Sequence, residues 1–294
     1  MAGIETNRTS ITLPAEVSAE IIAAAQEESA VMRLARRINL PGRGLTIPVI
    51  SGDPEANWVD ETNAKPVSNP TLTTKNMKGY TLAVIVPFSN QFRRDMAGLY
   101  AEIVRRLPGA LGKKFDATVF AGTAPGTGFD VLTGVTAQSI SGTGNSFYKA
   151  LVAAESAIAT AGFSVSGYAM SPQGKAEMLI ALDTTNRPIF INSVADGEVG
   201  RLLGQPVHYT KGVYAAGSGS GAVDVLGFAG DWSKAMYGIV EGVDISISDQ
   251  ATLTTSGGTI NLWQQNMFAV RAEIEVGFVA QATAFNKITR AHSA

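Results

Sequence analysis

The chain has no cysteine in its 294 residues, which removes disulfides, thiolate metal sites and cysteine nucleophiles together. Histidine is almost as scarce. His208 and His292 are the only two, and their separation rules out the paired spacing of a histidine metal site. His208, in PVHYTK, has no serine elbow or ordered acid partner and reads as a strand residue. No G-x-x-x-x-G-K-[ST] loop occurs, and the glycine-rich runs GTAPGTG and GSGSG do not join a strand to a helix in dinucleotide-binding spacing. No apolar run reaches the roughly 18 to 20 residues needed to span a bilayer. The N-terminus MAGIETNRTS lacks the basic and then apolar pattern of a signal peptide, so an intracellular product with no membrane partner is expected. A charge bias is missing too. Lys and Arg number 23 against 25 Asp and Glu, a formal charge of −2, without the basic excess of a protein that grips nucleic acid directly. The expectation is a protein that is not an enzyme and uses no cofactor or metal.

What is present is an ordinary globular composition, 45% hydrophobic, organised around Thr81–Gly122. Leu82, Val84, Val86 and Phe88 alternate with Ala83, Ile85 and Pro87, which predicts a strand covered on both faces. The period then changes. Phe92, Met96, Leu99, Ile103, Leu107, Leu111 and Phe115 recur every three or four residues, while Arg93, Arg94, Arg105, Arg106, Lys113 and Lys114 fall largely elsewhere, the pattern of a long amphipathic helix. Pro108 and Gly109 interrupt it, and an interior proline removes an amide donor and crowds the preceding turn. A kinked spine is expected there; the alternative is two helices broken at Leu107.

Ahead of the spine, Pro14 at a first helical turn and the acids Glu16 and Glu20 predict a helix through AEVSAEIIAAAQEESAVMRLARRI, preceded by a polar extended arm. LTIPVISGD from Leu45 predicts a strand. The Pro, Asn, Thr and Lys-rich segment that follows is long for a loop in a compact domain. Its apolar residues Trp58, Val59, Leu72 and Tyr80 suggest a two-stranded excursion completed by a neighbouring subunit, since an isolated hairpin is marginal in water. After the spine, a Gly/Thr/Ser connector with a short strand around Val131–Val135 leads to a helix capped at Asn145 or Ser146 and stopped by Gly162. A strand and a second helix from near Pro172 follow, then short strands in RLLGQPVHYTKGV and AVDVLGFAGDWSKAMYGI. Long alternating strands return at the end. Phe268, Val270, Ala272, Ile274, Val276 and Phe278 form one face; Arg271, Glu273 and Glu275 form the other, a solvated or intersubunit ion-pair surface.

Several pieces in collinear order, EVSAEIIAAAQEESAVMRLARRI, IPVISGDPEANWVDETNAKPVSNPTL, LAVIVPFSNQFRRD, LLGQPVHYT, GDWSKAMYGIVEGVDISIS and RAEIEVGFVAQATAF, make the chain resemble the major capsid proteins of tailed bacteriophages, a fold shared with encapsulin shells and the herpesvirus capsid floor. The resemblance implies an α+β phage capsid fold with an N-terminal arm, an extended β-hairpin loop, a peripheral domain holding a long spine helix and sheet, and an inserted axial α/β domain. The implied divisions are 1–40 (arm and helix), 41–52 (a peripheral-domain strand), 53–80 (extended loop), 81–134 (peripheral domain with spine), 135–235 (axial domain) and 236–294 (peripheral return strands). The implied function is a structural subunit that self-assembles through hexamers and pentamers into an icosahedral shell around double-stranded DNA, without sequence-specific binding, in a virion assembled in the bacterial cytoplasm. An encapsulin-type compartment with an enzyme cargo is the alternative. Trp58, Val59, Lys65, Leu72, Tyr80, Arg93, Arg94, Arg271, Glu273 and Glu275 are the candidate intersubunit contacts. Expected partners are a portal, a decoration protein and, because the arm begins almost at Met1, a separate scaffolding protein or none. Lys65, Lys75 and Lys78 lie in the loop that some members crosslink, but no matching asparagine or activating acid is marked, and no covalent crosslink is expected.

Overall fold

A computed structural model describes residues 29–52, 56–59, 63–65, 67, 71–90, 96–142, 146–183, 185–190, 199–219, 221–255 and 258–292. Most of the expected arm and N-terminal helix lies outside these. The chain enters at Ser29, whose side chain accepts from the Met32 amide and caps a short helix, α1 (Ala30–Leu34). The expected helix does not continue through RRI. Residues Arg36–Asn39 form strand β1, parallel to the start of β10 (Ala235–Ser248). A sheet edge supplies the backbone partners there, and Ile38 packs against the cluster around Leu40.

The first sheet has the order β1-β10-β13-β4, with β4 at Tyr80–Ser89 and β13 at Met267–Ala280. Phe268, Val270, Ala272, Ile274, Val276 and Phe278 are buried on one face, as their alternation predicts. Strand β4, expected to be covered on both faces, is instead an edge strand covered on one, and Ile85 is 48% exposed. Among the described residues the helix layer lies on one side of this sheet, so β4 is half-buried there.

The covering helix is α2 (Met96–Ala121), 26 residues without interruption through Pro108 and Gly109, about 39 Å at 1.5 Å per residue. The two-helix alternative is not realised. Leu111, Phe115, Val119 and Phe120 are buried, and they hold two aromatic groups together. Phe115 meets Phe129 and Phe278 edge-on, whereas Phe120 packs on Phe228 and Trp232. The first group belongs to the first sheet and the second to the other sheet, so this half of the spine is the seam between them.

The second sheet has the order β5-β14-β9-β6-β8-β7. Its strands are β5 (Thr136–Ser139), β6 (Gly167–Met170), β7 (Arg201–Leu202), β8 (Gln205–Tyr209), β9 (Val223–Gly230) and β14 (Phe285–Ala291). Helix α3 (Phe147–Thr160) is capped by Ser146 and α4 (Pro172–Ile180) by Ser171, with Gly162 at φ +83° just past α3. These match the expected elements. Two details do not. The strand expected at Val131–Val135 begins at Thr136, because Leu132 and Val135 are spent on the core in the preceding turn.

The larger correction concerns the C-terminus. The expected all-peripheral return ends at Ala280; a turn at Ala282–Ala284 redirects the chain, and β14 inserts between β5 and β9 of the second sheet. Phe285 packs edge-on against Trp232 with ring centroids 5.1 Å apart. Gly230 faces the same ring, and any Cβ there would strike it. The middle region is therefore completed by the last strand of the chain. Two ribbons remain outside both sheets: β2 (Leu45–Gly52) with β3 (Thr71–Met77), and β11 (Thr252–Thr255) with β12 (Gly258–Asn261).

Candidate functional site

Most of the candidate contacts named in the sequence fall on the extended loop and on the open face of the first sheet. The β2–β3 ribbon is the most distinct part. Antiparallel register pairs Leu45 with Met77 and Val49 with Thr73, so the ribbon begins eight residues before the loop boundary expected at 53. Strand β2 thus belongs to the excursion, and the peripheral strand expected at 41–52 is β1 instead.

The ribbon's root is fastened in several ways. Ile47 and Met77 pack with Leu40 and Val279. The Lys78 amide donates to the Gly128 carbonyl at 2.9 Å. The Lys75 ammonium donates at 2.6 Å both to Asp130 and to the Ala280 carbonyl, and Asp130 also accepts from the Ala280 amide at 3.1 Å. One lysine of the loop is therefore committed within its own subunit. Tyr80 is too: its hydroxyl donates to the Thr127 carbonyl at 2.8 Å, and its ring meets Phe129 edge-on.

Much of the ribbon's described surface is open. Thr46, Pro48, Thr73 and Thr74 are all exposed. Trp58 is 104% exposed and Val67 85%, Lys65 is exposed and Val59 half-buried. Leu72 pairs with Ile50 in the ribbon register, but its side chain, like Arg93 and Arg94, lies outside the described residues. On the open face of the first sheet, Arg271 donates from Nε to Ser246 at 3.1 Å and pairs with Glu273 at 3.3 Å, while Glu275 is half-buried near Gly79. The structure brings Arg271, Glu273 and Glu275 onto one face as the spacing predicted, and separates them from Trp58, Lys65 and Val67 at the ribbon's tip.

Two buried acids organise the surrounding frame, and neither was singled out in the sequence. Asp116 on α2 is fully buried and accepts from the Ser29 hydroxyl at 2.6 Å and the Ala30 and Val31 amides at 2.9 and 3.3 Å. Burial pushes its carboxyl up to about 6, against the opposing pull of those donors and of Thr210. It fastens the entry of the N-terminal segment to the spine. An acid within the apolar series Leu111, Phe115, Val119, Phe120 was the available signal. Asp224 on β9 accepts from Arg290, the Gly217 amide and His292 at 2.8, 2.9 and 2.7 Å. The Arg290 guanidinium and then the Gly217 amide hold its carboxyl well below the usual range. Arg290 also pairs with Glu177 of α4. No local pattern could have found this cluster, because its members come from three distant segments. His208 lies in β8 as expected; burial, with Arg33 nearby, lowers its basicity. Among the described residues, no group of acids and histidines could hold a metal ion, and no helix is long and apolar enough to cross a membrane.

A long helix at the seam of two sheets, a ribbon fastened at its root and an N-terminal segment fastened across the spine define a shell-building subunit. The chain belongs to the phage capsid family, whose model matches residues 9–289. It is 28% identical over 298 residues to the probable major capsid protein gp17 of Mycobacterium phage L5, covering 94% of this chain and 89% of that one. It is 24% identical over 291 residues to the major capsid protein of Staphylococcus phage 80alpha, covering 95% and 85%. A solved structure from Mycobacterium phage Adephagia shares the fold, with a TM-score of 0.72 at 21% identity over 90% of this chain and 91% of that one. The capsid of a native GTA particle gives 0.63 at 16% identity, over 99% and 95%.

Proposed function

We propose that this chain is the major capsid protein of a tailed double-stranded DNA bacteriophage, a virion component that closes into an icosahedral shell through hexamers and pentamers. The observation that carries the reading is the β2–β3 ribbon, whose root is bonded to its own subunit and whose tip presents bare Trp58 and Val67. A two-stranded ribbon of this length is marginal in water, and a neighbour that covers its tip supplies the missing burial. Contacts of this heterologous kind close into rings and leave edges free for further rings, and many weak contacts add through multivalency. Family membership across nearly the whole chain supports the same reading.

In this reading Trp58, Val59, Lys65 and Leu72 contact a neighbouring subunit, and Arg271, Glu273 and Glu275 form a secondary polar contact on the open sheet face. A portal occupies one vertex. Lys75 is unsuited to crosslinking because its ammonium is held by Asp130 and a carbonyl. Gel filtration and negative-stain microscopy of the purified chain test the proposal. Closed shells are expected, with or without added scaffold. A well-behaved monomer under every salt and scaffold condition would refute it, and shells that co-purify with an enzyme cargo would favour a cargo compartment instead.

A further inference from the structure

The glycine-rich run GTAPGTG (residues 122–128), which no contact described above accounts for, lies against the root of the β2–β3 ribbon. The Lys78 amide donates to the Gly128 carbonyl at 2.9 Å, and the Tyr80 hydroxyl to the Thr127 carbonyl at 2.8 Å. Two of the glycines are required by this fit. Any Cβ at Gly126 would strike the Tyr80 ring, and Gly128 has φ +83°, where a Cβ would lie 3.1 Å from the Asn76 carbonyl. A side chain at either position would push the run off the ribbon.

The same segment then bonds to the end of β13. The Asp130 amide donates to the Phe278 carbonyl at 2.9 Å, and the Asp130 carboxylate accepts from the Ala280 amide at 3.1 Å and from the Lys75 ammonium at 2.6 Å. Lys75 donates to the Ala280 carbonyl as well, at 2.6 Å. Ala280 is the last residue of β13, after which the chain turns into β14, while the segment beyond Asp130 runs into β5. Strands β5 and β14 are parallel neighbours in the second sheet. The root of the ribbon is therefore bonded to both segments by which the chain passes from the first sheet to the second. The Lys75 and Asp130 side chains are 36% and 37% exposed, so water reaches this joint and it can open and close without unfolding either sheet.

We infer that Lys75 and Asp130 are positioning residues that couple the ribbon to the second sheet, with GTAPGTG as the bearing between them, so that the two crossing segments set the direction in which the ribbon leaves the subunit. Only the consequence for assembly rests on the shell reading above. A ribbon held at one angle before it meets a neighbour loses less freedom on docking, and the contact at its tip is correspondingly stronger.

The test uses spin labels on the full-length, unassembled subunit, whose lack of native cysteine leaves each introduced one unique. Val67→Cys with Val223→Cys refers the ribbon to β9 of the second sheet, and Val67→Cys with Ile85→Cys refers it to β4 of the first; all three positions are exposed. In K75M the distance distribution from 67 to 223, read by pulsed electron double resonance, should broaden about twofold, as a segment freed of tertiary bonds samples more arrangements. That from 67 to 85 should broaden less, because β3 continues into β4 through Lys78 and Gly79 alone. Unaltered widths, or equal broadening of both, would overturn the coupling. Gly126→Val, which disturbs the same joint by bulk and not by charge, should reproduce the K75M pattern, with circular dichroism as the check on folding. The swap K75D, D130K separates this joint from a plain ion pair: it sets a carboxylate against the Ala280 carbonyl and an ammonium against the Ala280 N–H, and should stay broad. Recovery of the parent width in the swap would overturn the role of Ala280. K75M should also lower the yield of closed shells, and an unchanged yield would remove the joint from assembly. A parent chain that forms no shells would count against the shell reading, with the label distances still deciding the coupling.

Discussion

Replacing Asp116 with Asn should remove a pH dependence of known sign. Asp116 is fully buried on the spine, receives three donors from residues 29–31, and its carboxyl is pushed from 3.8 up to about 6. A carboxyl raised in the folded state keeps its proton there at pH values where the unfolded chain has lost it. The folded state is therefore favoured below about pH 4, and that advantage is lost as pH rises through about 6. The difference amounts to about 3 kcal/mol at about 1.36 kcal/mol per pH unit. The Asn variant has the same shape without the titration, so subtracting its stability from that of the parent cancels every other group. Urea unfolding of unassembled subunits at pH 7.5 and pH 4 should show the parent gaining about 2 kcal/mol relative to Asp116→Asn as the pH falls, most of the full difference. A difference that stays constant within about 0.5 kcal/mol would mean the three hydrogen bonds fully offset burial, and the reasoning would fail. Protonation also weakens acceptance from the Ala30 and Val31 amides, so their protection factors, after correction for the intrinsic pH dependence of amide exchange, should fall at the lower pH even as global stability rises.

Other outcomes follow from the same contacts. Trp58→Ala should leave the subunit's circular dichroism and urea midpoint unchanged, because the side chain is fully exposed in its own subunit, but should reduce the yield of closed shells; unaltered shell yield would remove the ribbon tip from the interface. Replacing residues 53–70 with a short turn should give a soluble, folded subunit, and loss of folding on circular dichroism would count against the ribbon as an intersubunit element. Asp224→Ala leaves the Gly217 amide and one end of the Arg290 guanidinium, whose other end stays on Glu177, without an acceptor and should cost about 2 to 4 kcal/mol in urea unfolding at pH 7. Because Asp224 is held ionised, that cost should shrink as pH falls below the ordinary carboxylate range. Gly230→Ala would drive a methyl group into the Phe285 ring and should destabilise by about 1 to 3 kcal/mol; an unchanged melting temperature would show that β14 is not held there.

Much of the fold was legible wherever periodicity and capping act locally. The spine, the alternation of β13, the helices capped by Ser146 and Ser171 and the stop at Gly162 are set by residues a few positions apart. The faces of Arg271, Glu273 and Glu275 were equally readable. Errors arose where a partner distant in sequence decides the outcome. RRIN became a strand because the edge of β10 was available, β4 proved one-sided because the helix layer among the described residues covers one face of the sheet, and the ribbon extends back to Leu45 because Met77 lies opposite it. The candidate contacts divided in the same way. Exposure of Trp58 follows from an apolar residue stranded in a polar loop, whereas the internal engagement of Tyr80 depends on Thr127 and Phe129, which arrive from beyond the spine.

By itself the sequence determined a near-neutral, cysteine-free building block with a long amphipathic spine, since composition and short-range periodicity depend only on neighbouring residues. Tertiary structure decided that β14 closes the middle sheet and that Asp116 and Asp224 are buried at junctions. Those features join segments up to 150 residues apart, and a burial or charge that exists only once such segments meet leaves no periodic trace along the chain.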